Sequence, residues 1–220
     1  MYKWDFAALQ PYWGLIWHGL LITILYTVTT VIAGLMIGLA TGIVRTTAPR
    51  WLSIPLRGYI EVFRCTPLLV QLVWVYYALP VLIGVEMTAA MACFITLSLY
   101  AGAFYAEIFR GGIEAVDRGQ WEAGRAIGMR RARIFRRIVL PQAIQVMIPS
   151  FINQTILQLK NTSLVSVVAV GDLLYQGSVI TAASYRPLEI YTTIAVIYFV
   201  VLFPLTLVAD QVEARMGAHR

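Results

Sequence analysis

GQWEAGRAIGMRRARIFRRIVLPQA, Gly119 to Ala143, is the one long polar interruption in a chain that is otherwise oily. With Arg118 just ahead of it, the stretch holds seven arginines: Arg118, Arg125, Arg130, Arg131, Arg133, Arg136 and Arg137. A segment so charged cannot lie in lipid. It has helical logic all the same. Asp117 is placed to cap a first short helix, Gln120 follows three residues on, and Gly128 is placed to stop it. A second short helix is expected from about Met129 to Val139. There Ile134, Phe135, Ile138 and Val139 share a face, the arginines fall elsewhere, and Pro141 marks the end.

Around this island, 60% of the 220 residues are hydrophobic and only 13% are charged, and the mean hydropathy is +0.75. That is the composition of a polytopic membrane protein. The net charge of +6 sits in loops beside apolar spans, as cytoplasmic-side anchoring requires, so the basic excess does not point to nucleic acid. Cys65 and Cys93 have apolar surroundings and no metal spacing, so buried packing is expected of each and no disulfide is implied. The only histidines, His18 and His219, are too far apart to suggest a metal site. No G-x-x-x-x-G-K-[ST] phosphate loop occurs, so no cofactor is expected on this chain and any ATP-derived energy must come from another polypeptide.

Met1 to Tyr12 lacks the features of a signal peptide, and Trp4, Tyr12, Trp13 and Trp17 read as an interfacial aromatic belt. A first span is expected from about Leu20 to Val44, closed by Arg45 and Arg50. Its Gly34, Gly38 and Gly42 offer close approach to another helix, within the subunit in preference to between subunits. A short basic connection with Pro49 and Pro55 reaches Arg57. A second span then continues to about Val85, with Glu61 and Arg64 spaced to pair and Gly84 and Glu86 in a turn. The third span covers about Met87 to Phe109. The fourth begins after Pro141 and carries a polar stripe, Ser150, Asn153, Gln154, Gln158 and Asn161, with Lys160, Thr162 and Ser163 at its end. Lipid is too costly a neighbour for such a stripe, which must face other helices or a water-filled path. For the amides both readings stay open; for Lys160, a cation at membrane depth, the path is preferred. Val165 to Tyr175 is a further apolar piece, short for a full crossing, and Ser178 to Glu189 reads as a polar loop. The last span is about Ile190 to Ala209, followed by a tail with Glu213, Arg215 and Arg220. Five spans with the N-terminus outside and the C-terminus cytoplasmic put every arginine-rich segment inside and leave Lys3, Arg186 and Lys160 on or near the other side.

The same residues resemble a known family. Glu122, Ala123 and Gly124, then Gly128, then Ile138, Leu140 and Pro141 resemble the EAA loop of the membrane subunits of ABC importers, E-A-A-x3-G-x9-I-x-L-P. Gly124 replaces the second alanine; it is still small enough for close approach to a partner but a weaker helix former by about 1 kcal/mol. Glu61 to Gln71 is similar to the E-x-x-R-x-T-P-x-x-x-Q segment of the polar amino-acid branch, with Cys65 where glycine is usual. Tyr105 to Gly124 and LKNTSL, Leu159 to Leu164, follow the same branch. The resemblance covers Tyr59 to about Leu205. It implies a single transmembrane permease domain, residues 1–220, all α, with five transmembrane helices and a cytoplasmic coupling-helix pair within about 111–141. It also implies residence in the inner cell membrane, ABC ATPase subunits that use the ATP, a second permease subunit, identical or paralogous, and an extracytoplasmic substrate-binding protein. The residues expected to meet the ATPase are then Glu122, Ala123, Gly124 and Gly128. Those expected along the path of a polar amino acid or opine-like derivative are Asn153, Gln154, Gln158, Lys160, Asn161 and Ser163. The alternative is a secondary transporter or channel uncoupled from any ATPase. That would call for internal repeats or an intramembrane carboxylate relay, whereas no repeat is visible and Glu61, Glu86 and Glu107 all fall near span ends.

Overall fold

The computed structural model describes residues 2–47 and 49–217, so the expectations on His219 and Arg220 fall outside the described residues. A 3-10 turn, Phe6–Tyr12, leads into helices α1 (Trp13–Thr47), α2 (Arg50–Cys65), α3 (Leu68–Ile83), α4 (Ala89–Glu114), α5 (Arg118–Ala126), α6 (Arg131–Val168), α7 (Leu173–Ser184) and α8 (Pro187–Gly217). No strand occurs among the described residues. Among the described residues, three stretches are long and apolar enough to cross a membrane alone, Phe6–Arg45, Ala89–Glu114 and Pro187–Met216. The bent pairs α2 with α3 and α6 with α7 raise the number to five when each is one span.

The glycine row of α1 serves packing inside the subunit. A Cβ on Gly34 would sit 2.6 Å from that of Ala101, and one on Gly38 would sit 2.6 Å from Tyr105 Cβ and 2.9 Å from the Ala106 nitrogen. Gly102 of α4 answers from the other side, against Ile37 and the Tyr59 hydroxyl. Backbones this close fix α1 and α4 side by side through most of the bilayer.

The second span differs from its expected form. What reads as a connection up to Arg57 is already helical from Arg50, and the helix tolerates Pro55 in its second turn. The axis then turns by 112° at Thr66–Pro67. Pro67 bars the α conformation at Thr66, which is extended at φ −113°, ψ 144°. The amide of Gln71 holds the break: its Nε2 donates to the Phe63 carbonyl at 3.0 Å, the Thr66 carbonyl at 3.0 Å and Thr66 Oγ1 at 2.6 Å. Those carbonyls are the orphans of the end of α2, so the T-P-x-x-x-Q spacing is that of a bend and its own cap. The 16 residues of α3 span only about 24 Å, short of the roughly 30 Å hydrocarbon layer, and α2 packs on α4 through Ile60, buried against Ala103 and Ala106. Glu61 and Arg64 do not form the expected pair. Arg64 turns to Glu107 instead, 3.6 Å away, while Glu61 accepts from the Cys65 thiol at 3.7 Å. Cys65 is exposed, contrary to the buried role expected of it; Cys93 is buried, and both are free thiols.

Pro141 does not end a helix. The α6 ladder passes through a π turn, Phe135–Val139, in which the Leu140 nitrogen donates to the Phe135 carbonyl, and then continues to Val168. The wider turn makes room for a ring that lacks an N–H. WVYYALP in α3 uses the same device, a π turn at Trp74–Ala78 followed by Leu79 and Pro80. Beyond Val168 the chain breaks at Ala169, in the left-handed region at φ 60°. It resumes as α7, which occupies most of the segment expected as a polar loop. Asp172, fully buried, caps α7 by accepting from the Leu174 and Tyr175 nitrogens.

The two ends of the bundle differ in kind. At one end Glu189, fully buried, accepts from Tyr2, from the Asp5 nitrogen at 3.0 Å and from Arg186 at 3.1 Å, tying the N-terminal segment to the start of α8. The bond to Glu189 holds the Tyr2 phenol above its ordinary pKa. At the other end Glu107 is held by Arg45, Arg64 and Arg110, and Arg110 also reaches Glu114. The arginine-rich helix pair hangs from this second end.

Candidate functional site

The helix pair is built as a rigid knob. Asp117 Oδ1 accepts from the Gly119 nitrogen at 2.6 Å, which caps α5 as its sequence predicts. At the far end the Met129 nitrogen donates to the Gly124 carbonyl at 3.0 Å and the Gly128 nitrogen to the Arg125 carbonyl at 2.9 Å, with Gly128 at φ +76°. That pairing is a Schellman stop, which needs a left-handed residue where Gly128 stands. One face of α5, Trp121 and Gly124, turns inward. Trp121 stacks on Phe135 at 6.4 Å with Arg131 over its ring. Gly124 is buried against Ile134, which would stand 2.8 Å from an added Cβ. The departure from alanine therefore has an internal cause, the close contact of buried Gly124 with Ile134. Glu122, Ala123, Ala126 and Ile127 face outward with Gly128 at the tip; Ile127 is 75% exposed, unusual for an isoleucine on a water-facing helix.

Beneath the knob, Ile134, Val139, Ala143 and Met147 of α6 and Val116 form one buried cluster that also takes in Ile108, Phe109 and Ile113 of α4. Gly112 lets α4 meet α6 so closely that an added Cβ would lie 2.1 Å from Met147 Cγ. Trp121 of α5 thus packs on a cluster that joins the bases of both long helices.

Higher on α6 the polar stripe divides. Gln158 is fully buried, and its Nε2 donates to Thr30 Oγ1 of α1 at 3.0 Å and to the Leu97 carbonyl of α4 at 3.1 Å, pinning three helices together. Gln154 is buried beside it. Asn153 and Lys160 are exposed, in line with Ser150 and Leu157 along one open face, and no ion pair forms at Lys160 among the described residues. Asn161 and Ser163 sit at the margin. Asn161 Nδ2 is buried, with no hydrogen bond of good geometry among the described residues, and Ser163 Oγ donates to the Lys160 carbonyl at 2.8 Å. The Gln158 level lies about 15 Å up α4 from Glu107, so with the Glu107 cluster at one edge of a roughly 30 Å layer Lys160 stands near mid-depth.

Sequence reasoning passed over two groups here. Glu107 looks like a span-end carboxylate until the fold brings Arg45 and Arg64 to it from other helices. Asp172 did carry a local signal, an acidic residue directly before an apolar helical run.

The structure thus sets a capped helix pair on the basic end of a bundle, packed on the bases of two helices, one of which carries an open polar face. The chain belongs to the family of inner membrane components of binding-protein-dependent transport systems, whose family model matches residues 32–218. Among its relatives, the glutamine transport system permease protein GlnP of Escherichia coli K12 is 34% identical over 215 residues, 97% of this chain and 98% of that protein. The arginine transport system permease protein ArtQ of Bacillus subtilis 168 is 34% identical over 218 residues, 98% of each. A crystal structure of an amino acid ABC transporter with histidines superimposes with a TM-score of 0.91 at 36% identity, over 97% of this chain and all of that one. An inward-facing form of the MetNI methionine ABC transporter, 22% identical, shares the fold with a TM-score of 0.75.

Proposed function

We propose that the chain is the permease subunit of an ATP-driven importer of polar amino acids. In this reading it works in the inner membrane with a second permease subunit, two ATPases on the cytoplasmic side and a binding protein outside, its N-terminus outside and its C-terminus in the cytoplasm. The relatives named for glutamine and arginine transport support the substrate class, and the separation of the Tyr2 and Glu189 end from the arginine-rich end supports the orientation. The observation that carries the reading is the one-sided exposure of α6. A lysine near mid-depth with no ion pair among the described residues is costly against lipid, so the face must be closed by a second bundle around a water-filled path. There Lys160 offers a cation to the α-carboxylate, and Asn153 and Asn161 offer amide donors and acceptors at the level where a zwitterion must give up water. Gln154 and Gln158 act from behind, keeping the face in place, and Ser163 anchors the turn of chain that carries Lys160. Glu122, Ala123 and the Gly128 tip form the surface for the ATPase, with Gly124 beneath them.

The test is uptake into vesicles bearing permease, ATPases and binding protein, for L-glutamine, L-arginine and L-histidine, with and without ATP on the ATPase side. Uptake of at least one that requires ATP is expected, falling at least tenfold in Lys160→Met at equal complex yield. Uptake independent of ATP, or unchanged by Lys160→Met for every amino acid, would refute the proposal.

A further inference from the structure

A cavity of about 380 Å³ opens at the inner end of the open face, between Arg64 of α2, Phe104 to Gly112 of α4 and Val146 to Ser150 of α6. Ser150 belongs to both. It lies one turn below Asn153 on the exposed face, and about 15 Å of helix below Lys160. The space is within the usual size of a small-molecule site, roughly 300–1,000 Å³.

The charges on its wall are unequal. Glu107 is the one carboxylate lining it, and that carboxylate already receives Arg45 and Arg110. Arg64 reaches Glu107 only at 3.6 Å, too far for a good hydrogen bond, and its side chain is 39% exposed. A guanidinium presents five N–H donors in a planar fork that matches a carboxylate. The Arg64 fork is therefore largely unspent, in a cavity whose only acid is already neutralised. Ile108, Val146 and Met147 supply apolar wall beside it.

We infer that this cavity is a second amino-acid site, an inner station that takes the α-carboxylate on the Arg64 guanidinium after Lys160 releases it. The inference rests on the amino-acid reading proposed above. About 15 Å of helix separates Lys160 from Ser150, and Ser150 and Arg64 give the carboxylate polar partners at the inner end of that stretch. The site faces the cytoplasm, so amino acid accumulated there occupies it from the inside and reports on the product of transport.

Gly111 allows a direct test. It lines the cavity, and a Cβ built on it meets no atom within 4 Å, so a larger side chain grows into the space without collision. Equilibrium binding of tritiated L-glutamine, L-arginine and L-histidine would be measured on the purified permease–ATPase complex without the binding protein. In a Lys160→Met background, saturable binding of a transported amino acid should remain. Adding Gly111→Leu should remove it, Gly111→Ala should keep it, and Arg64→Gln should raise its Kd at least tenfold. The methyl ester of the same amino acid, which lacks the carboxylate, should not compete. Loss of all binding with Lys160→Met alone, binding untouched by Gly111→Leu, or displacement by phosphatidylglycerol in place of the free amino acid would each overturn the inner site. Gly14→Leu, equally free of neighbours but at the far end of α1, controls for complex yield. If the wild-type complex takes up none of the three amino acids with ATP, the fault lies in the amino-acid reading; if it does and the cavity variants bind normally, the fault lies here.

Discussion

Restoring the family's alanine at position 124 should weaken the coupling knob, although alanine is the better helix former. Glycine to alanine inside a helix gains about 0.8–1 kcal/mol. Against this, a Cβ on Gly124 would lie 2.8 Å from Cγ1 of Ile134, 3.0 Å from its Cδ1 and 3.1 Å from its Cγ2. All three contacts come from one side chain, so turning Ile134 away from one presses another. Ile134 is fully buried in the cluster of Val116, Val139, Ala143 and Met147 and has nowhere to retreat. Overpacking of this sort costs roughly 1–3 kcal/mol, more than the propensity gain, which leaves a net loss of about 1 kcal/mol. Amide hydrogen exchange across Gly119 to Ile127 in the purified permease would read this as opening about fivefold more frequent. Ile134→Ala removes all three colliding atoms at a cost of about 2–5 kcal/mol. The double variant should then exchange no faster than Ile134→Ala alone. Slower exchange in Gly124→Ala, or losses that simply add in the double variant, would show that Ile134 does not dictate the residue at 124.

Gly128→Val should lower ATP-coupled transport several-fold while the protein still inserts, because φ +76° is left-handed backbone that costs an L residue about 1–2 kcal/mol, and more if β-branched. Gly128→Asn should retain most activity, and equal uptake in both variants would count against the Schellman stop as the cause. Gln71→Leu leaves the Phe63 and Thr66 carbonyls without their shared donor and should destabilise the subunit by about 1–3 kcal/mol, seen as a lower thermal midpoint of the detergent-solubilised protein; an unchanged midpoint would remove Gln71 as the holder of the bend. In a Cys65→Ser background, a cysteine at Arg130 should react with impermeant maleimide only from the cytoplasmic side and one at Ser184 only from outside, and the reverse pattern would invert the proposed topology.

How much of this was legible in the sequence depended on whether the decisive contact was local. Asp117, Gly128 and the span of α5 between them followed from caps and spacing, since both helix ends are closed by backbone within a few residues. The glycine row of α1 was legible for a similar reason: small residues every four positions can only be a contact face. The bend at Thr66–Pro67 was missed because its cap is a side chain five residues on, so the hydrophobic run read as one span. Pro141 misled in the opposite direction. Its missing N–H ends a regular helix, but a π turn just upstream absorbs it, and nothing in the letters FRRIVLP distinguishes the two outcomes except the like-folded WVYYALP earlier in the chain. The division of the α6 stripe was not legible at all. Gln158 and Asn161 have the same periodic credentials, and only the positions of Thr30 and Leu97 decide that Gln158 is spent on packing.

That division bears on how the subunit can move. Within it, α1 meets α4 at backbone distance through Gly34, Gly38 and Gly102, α4 meets α6 at Gly112, and Gln158 joins all three higher up. Contacts this close do not deform by degrees, since an interdigitated seam either holds or separates. A push on the knob, which rests on the bases of α4 and α6 together, is therefore expected to turn the three helices as one body. On the function proposed above, the surface left to open and close is the exposed polar one, the face of Ser150, Asn153, Leu157 and Lys160. Alternating access would then lie between two bundles rather than within either, with the polar groups that stay buried acting as the stiffener and those left exposed as the path.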